Sequence, residues 1–510
     1  MAKENLAKVI IKGSFYNFIS NAIAKLGGIV FTIFILARLL GPELFGIYNL
    51  AFSIISIILV FSTFGIGDTA TRFIAEALSK KSKIKARSYF KYLIKIQGIV
   101  TILAVAVLLI IAKPIAFNFY DKPALFYPLI IAALYVFAIS LYGIIQSLFY
   151  AIKDISKFPL LNIIEQVLQI GLALLAILFL SDNLKISGIF FGLGISILIV
   201  LILSLIFVFK KDRDLIIGPK TKIEKSSLLK YIVFMGATTL SLVVFGSVDT
   251  LMLGKFVDAA YMGYYRAALG LVLSISAILS VAFILLPIFS QIDGERLKRG
   301  FVKVTKYVLI FAIPFVIGLL ITSKFVIGLL YGSEYLPAIV PLWSLSFLIL
   351  VVSLLYLYKP VFQAKEKAKI IAIVTVIALV INIVLNFILI TWLIQYGQVY
   401  AILGAGIATT LSKLFLVICL AVKSKKEFGI KIPGINFVKP LIASLIMIIF
   451  LIGFAYFIDI NTFTGIVQII GGIIIYFLSL FLIKGIRKED FKLLKYLPVF
   501  GHKPLLKTHS

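Results

Sequence analysis

Residues 38–51, with the sequence RLLGPELFGIYNLA, lie where the first long apolar segment of the chain turns into the second. A related stretch, KFVDAAYMGYYRAA, occupies residues 255–268. A shift of 217 residues aligns four pairs, namely Arg38 with Lys255, Gly46 with Gly263, Tyr48 with Tyr265 and Ala51 with Ala268. Because both copies lie between apolar stretches too long for soluble helices, they predict a transporter of two like halves with the substrate site between them. A chance match between two helical corners is the alternative.

The composition is typical of a membrane protein. Apolar residues make up 62% of the 510 positions, against about 45–50% in soluble proteins. The net charge of +29 raises the question of a nucleic-acid partner, but such partners are bound by basic patches on a polar surface. Here the cations fall in short loops between apolar runs of about 20 residues, the length that crosses a bilayer. We therefore expect no binding of nucleic acid.

Apolar runs between charged breaks predict an all-α integral membrane protein with about fourteen transmembrane helices. The predicted spans are 14–39, 44–66, 92–112, 125–150, 159–181, 187–209, 231–255, 263–289, 307–330, 337–361, 370–394, 401–422, 438–458 and 464–484. They group into an N-terminal six-helix half (1–209), a linker (210–230), a C-terminal six-helix half (231–422), two extra helices (423–484) and a basic tail (485–510). The one cysteine, Cys419, excludes a disulfide framework and a cysteine metal site.

Lysine and arginine are distributed unequally along the chain. Forty of the 50 lie in the head, the tail and alternate loops or within four residues of the span ends next to them, and four lie in the opposite loops. Cytoplasmic loops of membrane proteins carry an excess of these residues. The distribution predicts a multi-pass protein of the cell membrane with both termini in the cytoplasm. The basic tail is predicted to lie on the inner leaflet as an amphipathic helix.

Short motifs near the start of each half resemble a known family. They are LGPE at residues 40–43, FGIY at 45–48, FGIG at 64–67, RFIA at 72–75 and DTLMLG at 249–254. The sequence resembles, over nearly its whole length, the polysaccharide and oligosaccharide flippases of the superfamily that also contains the multidrug/toxin extruders and the peptidoglycan-precursor flippases. The resemblance implies a transporter, not an enzyme, that moves a lipid-linked oligosaccharide.

Polar residues within the predicted spans are the candidates for a binding site. A charge near the bilayer centre costs about 2.5–3.5 kcal/mol, so such residues usually face a bundle interior or a wet cavity. In the first span Asn17, Asn21 and Lys25 recur every four residues and share one helical face. We expect Lys25 and Lys413, both near mid-span, to line the cavity and to meet the diphosphate of the substrate. Interhelical hydrogen bonding is the alternative, above all for the asparagines.

The fifth span carries a second polar face, with Glu165, Gln166 and Gln169. These side chains are candidates to contact sugar hydroxyls, although a structural salt bridge of Glu165 is equally compatible with the pattern. Arg38 and Arg266 lie near the ends of their spans. For these two, a substrate-binding role and simple anchoring at the membrane surface both remain open.

A third group combines Asp249 of the seventh span, Asn382 and Asn386 of the eleventh, and Thr409 of the twelfth. Carboxylate, amide and hydroxyl oxygens are hard ligands that suit a small cation. The group is similar to the sodium site of the peptidoglycan-precursor flippases, although Asn386 stands where that pattern has a second Asp. The resemblance implies a coupling site for sodium or a proton. Pairing of Asp249 with a lysine such as Lys413 is the alternative.

Together these observations predict a flippase that carries a polyprenyl-diphosphate oligosaccharide from the cytoplasmic to the outer leaflet by alternating access. A multidrug/toxin extruder on the same scaffold is the first rival, but it would favour an acidic cavity for cationic drugs. A membrane glycosyltransferase or polymerase is the second, and it would need a sizeable outer loop that carries acids. We expect a monomer in contact with membrane lipids and glycan-assembly enzymes, with no cofactor other than a coupling cation.

Overall fold

The computed structural model of the protein describes residues 27–280, 282–431 and 433–486. The predictions for Asn17, Asn21 and Lys25, and for the helix in the tail, lie outside the described residues. Within these ranges the chain forms helices and no strand, which confirms the all-α prediction. The helices are numbered here in chain order as α1 Val30–Ala37, α2 Arg38–Thr63, α3 Ile66–Ser79, α4 Lys83–Lys113, α5 Phe126–Ala151, α6 Phe158–Phe179, α7 Asp182–Lys211, α8 Lys225–Phe256, α9 Ala259–Ile278, α10 Ala282–Gln291, α11 Gly294–Tyr331, α12 Ile339–Ala364, α13 Ala368–Leu393, α14 Gln398–Phe428, α15 Ile435–Phe457 and α16 Thr462–Leu482.

Twelve helical stretches of the described chain are long and apolar enough to cross a membrane. The first of them, Gly27–Ser79, contains the described part of the first predicted span and the whole of the second, because the chain turns at Gly41 and Pro42 without an intervening loop. Gly41 has φ 74° and ψ 171°, a conformation open to glycine alone, and proline suits the first turn of the helix that follows. The predicted eighth span corresponds to α9 and α10, which are separated near residue 280. The fold therefore agrees with about fourteen spans.

The helices form two compact units, and the candidate site lies in the first. This unit comprises the described residues up to Ser274, together with Leu330–Leu345 and Lys369–Leu416. The second comprises Ile275–Leu329, Ser346–Ala368 and the described residues from Val417 onward. The predicted boundaries of the two halves follow the repeat rather than these packing units, and they stay a prediction.

The two copies of the repeated stretch meet in the first unit, where α2 crosses α9. A Cβ atom on Gly46 would lie 1.8 Å from the carbonyl oxygen of Ala259, and one on Gly263 would lie 2.0 Å from that of Pro42. The 217-residue shift exchanges these two contacts, so the crossing has a local two-fold symmetry. Only glycine allows backbones to approach so closely, a common device between membrane helices. The sequence repeat therefore corresponds to a symmetric contact, which we call the α2–α9 crossing.

Helices α2 and α8 lie side by side in the first unit and touch at both ends of a stretch that runs from the middle of α2 to the residue that follows it. At one end, a Cβ atom on Gly254 would lie 2.7 Å from Cδ1 of Leu50. At the other, a Cβ atom on Gly236 would lie 2.6 Å from the ring of Phe64. The two glycines are 18 residues apart, which is about 27 Å along a helix and close to the thickness of the bilayer core. These two contacts mark the ends of what we call the α2–α8 seam.

The linker between the two predicted halves is held on α4 by side chains near the start of that helix. The guanidinium of Arg87 donates to the carbonyl oxygen of Asp214, and through Nη1 to that of Pro219 at 3.1 Å. The backbone N–H of Thr221 donates to Oγ of Ser88 at 2.8 Å. Arg87 is buried, so these acceptors replace the water that it loses. The linker is thus an ordered part of the first unit.

In the second unit the two extra helices pack against α11. The hydroxyl of Tyr476 on α16 donates to the carbonyl oxygen of Ile310 on α11 at 2.6 Å. A cavity of about 390 Å³ lies between these helices and has an almost wholly apolar lining, formed among others by Phe311, Phe315 and Met447.

Candidate functional site

The carboxylate of Asp249 on α8 is the centre of a buried polar cluster. Its side chain is only 3% exposed. Oδ1 accepts a hydrogen bond from Nδ2 of Asn386 at 2.7 Å. Oδ2 accepts from the hydroxyl of Thr409 at 2.6 Å and from that of Tyr265 at 2.8 Å. The structure therefore brings together three of the four residues predicted for the cation site and adds a tyrosine to them.

The fourth predicted residue, Asn382, joins the cluster through Thr409. Its Nδ2 donates to Oγ1 of Thr409 at 3.3 Å, and its own carbonyl oxygen accepts from Nδ2 of Asn386 at 3.0 Å. The amide oxygens Oδ1 of Asn382 and Oδ1 of Asn386 are both buried and accept no hydrogen bond from the described residues. A buried polar atom without a partner costs about 1–3 kcal/mol. These two oxygens are thus the unsatisfied acceptors of the cluster.

The oxygens of this cluster fit a small monovalent cation. They comprise one carboxylate, two unsatisfied amide oxygens and a hydroxyl oxygen, which are hard ligands of the kind that alkali ions prefer. The single negative charge favours one positive charge over two. No group of three or more His, Cys, Asp and Glu that could hold a metal ion occurs within residues 27–280, 282–431 and 433–486.

Tyr265 on α9 was not among the predicted site residues. It is fully buried, and its hydroxyl makes the bond to Asp249 described above. A signal was present in the sequence, because Tyr265 belongs to the repeated stretch and aligns with Tyr48. The sequence alone does not show that the Tyr265 side chain points back toward α8, the helix that precedes α9.

Arg266 lies at the α2–α9 crossing. Its Nε donates to Oδ1 of Asn49 on α2 at 2.9 Å, and Nη1 lies 3.5 Å from Oγ1 of Thr250. Asn49 and Arg266 are 217 residues apart, so they occupy equivalent positions of the repeat and meet across the local two-fold axis. Within the part of the chain that the structure describes, no carboxylate forms an ion pair with Arg266. Arg38, by contrast, is exposed at the start of α2.

Lys413 on α14 is half-buried and one helical turn beyond Thr409. Its Nζ lies 5.6 Å from the ring centre of Phe245 on α8, within the range of a cation–π interaction. Asp249 accepts its hydrogen bonds from three neutral groups. The alternative in which Lys413 and Asp249 form an ion pair is therefore not the arrangement that the structure shows.

The polar face of α6 is separate from the Asp249 cluster. Oε1 of Glu165 accepts from Nε2 of Gln169 at 3.1 Å, and Oε1 of Gln166 is buried without a partner among the described residues. The shift of 217 places Glu165 on Asn382 and Gln169 on Asn386, so this face is the N-terminal equivalent of the α13 face. In the described structure the hydrogen-bond donors to Asp249 come from α9, α13 and α14, and none comes from α6.

Comparisons with known proteins agree with this architecture. Residues 10–293, more than half of the chain, match the family described as polysaccharide biosynthesis protein. Over 100 residues the chain is 30% identical to the teichuronic acid biosynthesis protein TuaB of Bacillus subtilis (strain 168), a match that covers 18% of this chain and 20% of that protein. The chain thus spans about one fifth of the length of that relative.

Two solved structures show a similar fold. One is the lipid II flippase MurJ in an inward closed conformation, with a TM-score of 0.73 and 18% identity over 92% of this chain and 98% of that one. The other is a multidrug resistance MATE family transporter of the MOP superfamily in an inward-facing conformation, with a TM-score of 0.60 and 14% identity over 80% of this chain and 98% of that one. At these identities the likeness concerns the fold alone. With the match over residues 10–293, it follows that this multi-span membrane protein belongs to the family described as polysaccharide biosynthesis protein.

Proposed function

We propose that the protein flips a lipid-linked oligosaccharide, with a polyprenyl-diphosphate carrier, from the cytoplasmic to the outer leaflet of the cell membrane. The glycan would serve cell-surface polysaccharide biosynthesis. The observation that carries this proposal is the family match over residues 10–293. The fold similarity to a lipid II flippase supports movement of a lipid-linked substrate by alternating access. The protein acts as a transporter in this proposal and catalyses no reaction.

Cationic side chains within the bundle support an anionic substrate. In the described structure Arg266 donates to Asn49 and approaches Thr250, and Lys413 faces an aromatic ring. Both side chains carry N–H groups that can donate hydrogen bonds to a diphosphate. Arginine suits phosphate groups because its donors form a planar fork. These positive charges would disfavour binding of the cationic compounds that a multidrug extruder carries.

The apolar cavity of the second unit supports a substrate with a hydrocarbon chain. Its lining of Phe311, Phe315, Met447 and neighbouring apolar residues offers contacts to a prenyl chain but almost no hydrogen bonds to a sugar. The cavity lies beside α15 and α16, the two helices that have no counterpart in the repeat. In the proposed mechanism the lipid tail stays in contact with this apolar surface while the diphosphate and sugars cross within the bundle.

We further propose that a monovalent cation, sodium or a proton, couples to transport at Asp249. The cation would be held by Asp249, Asn382, Asn386 and Thr409, and it would supply a positive charge that offsets the buried carboxylate. The unsatisfied amide oxygens of the two asparagines support this assignment. A ligand shifts a conformational equilibrium only by its differential affinity for the two states. Because these residues come from α8, α13 and α14, a bound cation would favour the state in which those helices lie together.

A flipping assay in proteoliposomes tests the proposed function. The protein should move a fluorescent polyprenyl-diphosphate oligosaccharide between leaflets and should not accumulate a cationic dye such as ethidium. Dye transport without lipid flipping would favour the extruder. If the protein shows a thermal melting transition, and is therefore folded, but has neither activity, both transport proposals would be contradicted.

Substitution of the buried cations should reduce flipping. Hydrogen bonds to a charged group are worth about 1.5–3 kcal/mol, so we expect Arg266→Ala or Lys413→Ala to lower the flipping rate roughly 10- to 100-fold. Lys413→Arg should restore part of the rate, because the positive charge is kept. Lys324→Ala is the matched control, since Lys324 is exposed on α11. Normal flipping by Arg266→Ala and Lys413→Ala would remove the support that these charges give to an anionic substrate.

The proposed orientation has its own test. Reporter fusions after Lys85, Lys220, Lys298, Lys367 and Lys431 should be cytoplasmic, because those loops carry most of the positive charge. Fusions near Lys122, Lys185 and Glu334 should be external. One clear inversion among these eight positions would contradict the proposed topology.

A further inference from the structure

We propose that Tyr265 is a positioning residue that couples occupancy of the Asp249 cluster to the α2–α9 crossing. The proposal rests on the cation coupling described under the proposed function and assigns one residue of this chain a part in it. Tyr265 lies between the polar cluster and the contact that joins the two copies of the repeat.

One helical turn of α9 touches both sites. Gly263 packs against the carbonyl oxygen of Pro42, and Arg266 donates to Asn49, so both face α2. Residues three apart share a helical face, whereas residues two apart lie about 200° apart around the helix. Tyr265 accordingly points away from Gly263 and donates its hydroxyl to Asp249 on α8 at 2.8 Å. A displacement of this turn toward or away from Asp249 must also change the α2–α9 crossing.

Cation binding and the Tyr265 hydrogen bond compete for the same oxygen. Oδ2 of Asp249 accepts two hydroxyl protons, from Tyr265 and Thr409. A cation bound at Oδ2 of Asp249 would approach the lone pairs that now accept these two protons. Tyr265 is fully buried, and its hydroxyl donates to Oδ2 of Asp249, the oxygen that Thr409 also contacts. The occupied cluster therefore favours a different position of α9, in which this hydroxyl is not left facing the cation.

The crossing leaves α9 little room to move independently of α2. The backbone contact at Gly263 has no space for even one added carbon atom. Arg266 also links the two helices, and it approaches Thr250, the residue that follows Asp249. We infer that a shift of α9 on cation binding is transmitted to α2 and so to the α2–α8 seam, where Leu50 packs at Gly254.

The other copy of the repeat supplies a natural comparison. Tyr48 stands at the position equivalent to Tyr265. The residue equivalent to Asp249 is Thr32, so the equivalent position offers the Tyr48 hydroxyl no carboxylate. Tyr48 instead stacks on Phe190, with ring centres 5.3 Å apart. The coupling is thus confined to the C-terminal copy. Tyr48→Phe becomes a matched control for Tyr265→Phe.

The experiment uses full-length protein in nanodiscs, with Cys419→Ser and Leu50→Cys introduced so that one thiol reports on the α2–α8 seam. Two quantities are measured in NaCl and in KCl of equal ionic strength. They are the melting temperature, which reports sodium binding, and the rate at which a small maleimide modifies the thiol. The substitutions Tyr265→Phe and Tyr48→Phe are each added to this background. Tyr265→Leu repeats the test if Tyr265→Phe does not fold.

Sodium should raise the melting temperature of the reporter background and of all folded variants. It should change the modification rate about fivefold or more in the background and in Tyr48→Phe. In Tyr265→Phe the thermal response should remain while the change in modification rate is lost. A modification rate that still responds to sodium in Tyr265→Phe would overturn the proposal, because the hydroxyl would then be structural only.

Two other outcomes separate this proposal from the one on which it rests. A thermal response to sodium in the background without any change in the modification rate would overturn the role of Tyr265 and leave the cation site intact. If neither the melting temperature nor the modification rate of the background responds to sodium, sodium coupling at Asp249 is overturned. The proposed role of Tyr265, which depends on it, is then overturned as well.

Discussion

Gly263→Ala should destabilise the protein by about 1–3 kcal/mol or more, because the added methyl group has no room in the α2–α9 crossing. Its Cβ would lie 2.0 Å from the carbonyl oxygen of Pro42. The added Cβ and the carbonyl oxygen of Pro42 are both fixed to a backbone, so no flexible side chain can move aside. The two helices must therefore separate by more than an ångström. Gly46→Ala should have a similar effect, since its Cβ would lie 1.8 Å from the carbonyl oxygen of Ala259. Thermal or denaturant unfolding in detergent measures the loss.

Gly270→Ala is the matched control for the crossing. Gly270 lies on the same helix as Gly263, and a Cβ atom there would meet nothing within 4 Å. Alanine is favoured over glycine in a helix by about 0.5–1 kcal/mol, so this variant should be neutral or slightly stabilised. Equal stability of Gly263→Ala and Gly270→Ala would show that the close approach of α2 and α9 does not contribute to the fold.

Asp249→Asn should remove the response to cations while leaving the fold nearly intact. The new amide oxygen can accept from Tyr265 and Thr409 in place of Oδ2. Its amide nitrogen would face Nδ2 of Asn386, but rotation of the Asn386 amide would present the unsatisfied Oδ1 as an acceptor. We therefore expect a change in stability within about 1 kcal/mol, the worth of a typical hydrogen bond. Without the negative charge, the stabilisation by sodium and the dependence of flipping on a cation gradient should both disappear.

Asp249→Ala tests the same cluster through stability. It removes the acceptor of three buried hydrogen bonds, and each donor left unsatisfied costs about 1–3 kcal/mol. We expect a loss of about 3 kcal/mol or more, measured by thermal unfolding. Asp182→Ala is the control, because the Asp182 side chain is exposed and its ion pair with Lys185 contributes little. An Asp249→Asn variant that flips substrate with the same gradient dependence as wild type would leave Asp249 as a structural residue only.

Much of the fold could be predicted because the bilayer restricts the choice of structure. A spanning segment must satisfy its own backbone hydrogen bonds, so apolar runs of about 20 residues become helices. The alignment of Gly46 with Gly263 also anticipated a real feature, since the two copies pack on each other in the α2–α9 crossing. The grouping of Asp249, Asn386 and Thr409 followed from family resemblance, and the structure brings these residues together.

The side of each helix that faces its neighbours could not be predicted in the same way. Membrane helices are apolar on the faces that meet lipid and on those that meet protein, so periodicity gives little information on packing. For this reason Lys413 was an open candidate to pair with Asp249, whereas the structure turns it toward Phe245. For the same reason the sequence does not identify Tyr265 as a partner of Asp249.

The sequence by itself determined that this chain is a helical membrane protein with an internal repeat, because segment length and charge distribution act locally along the chain. The tertiary structure alone decided that Asn49 meets Arg266 across a local two-fold axis and that Tyr265 bonds to Asp249. These contacts join residues on different helices, and their geometry depends on how closely glycine lets the backbones approach. The polar cluster, the crossing and the link between them are therefore products of helix packing.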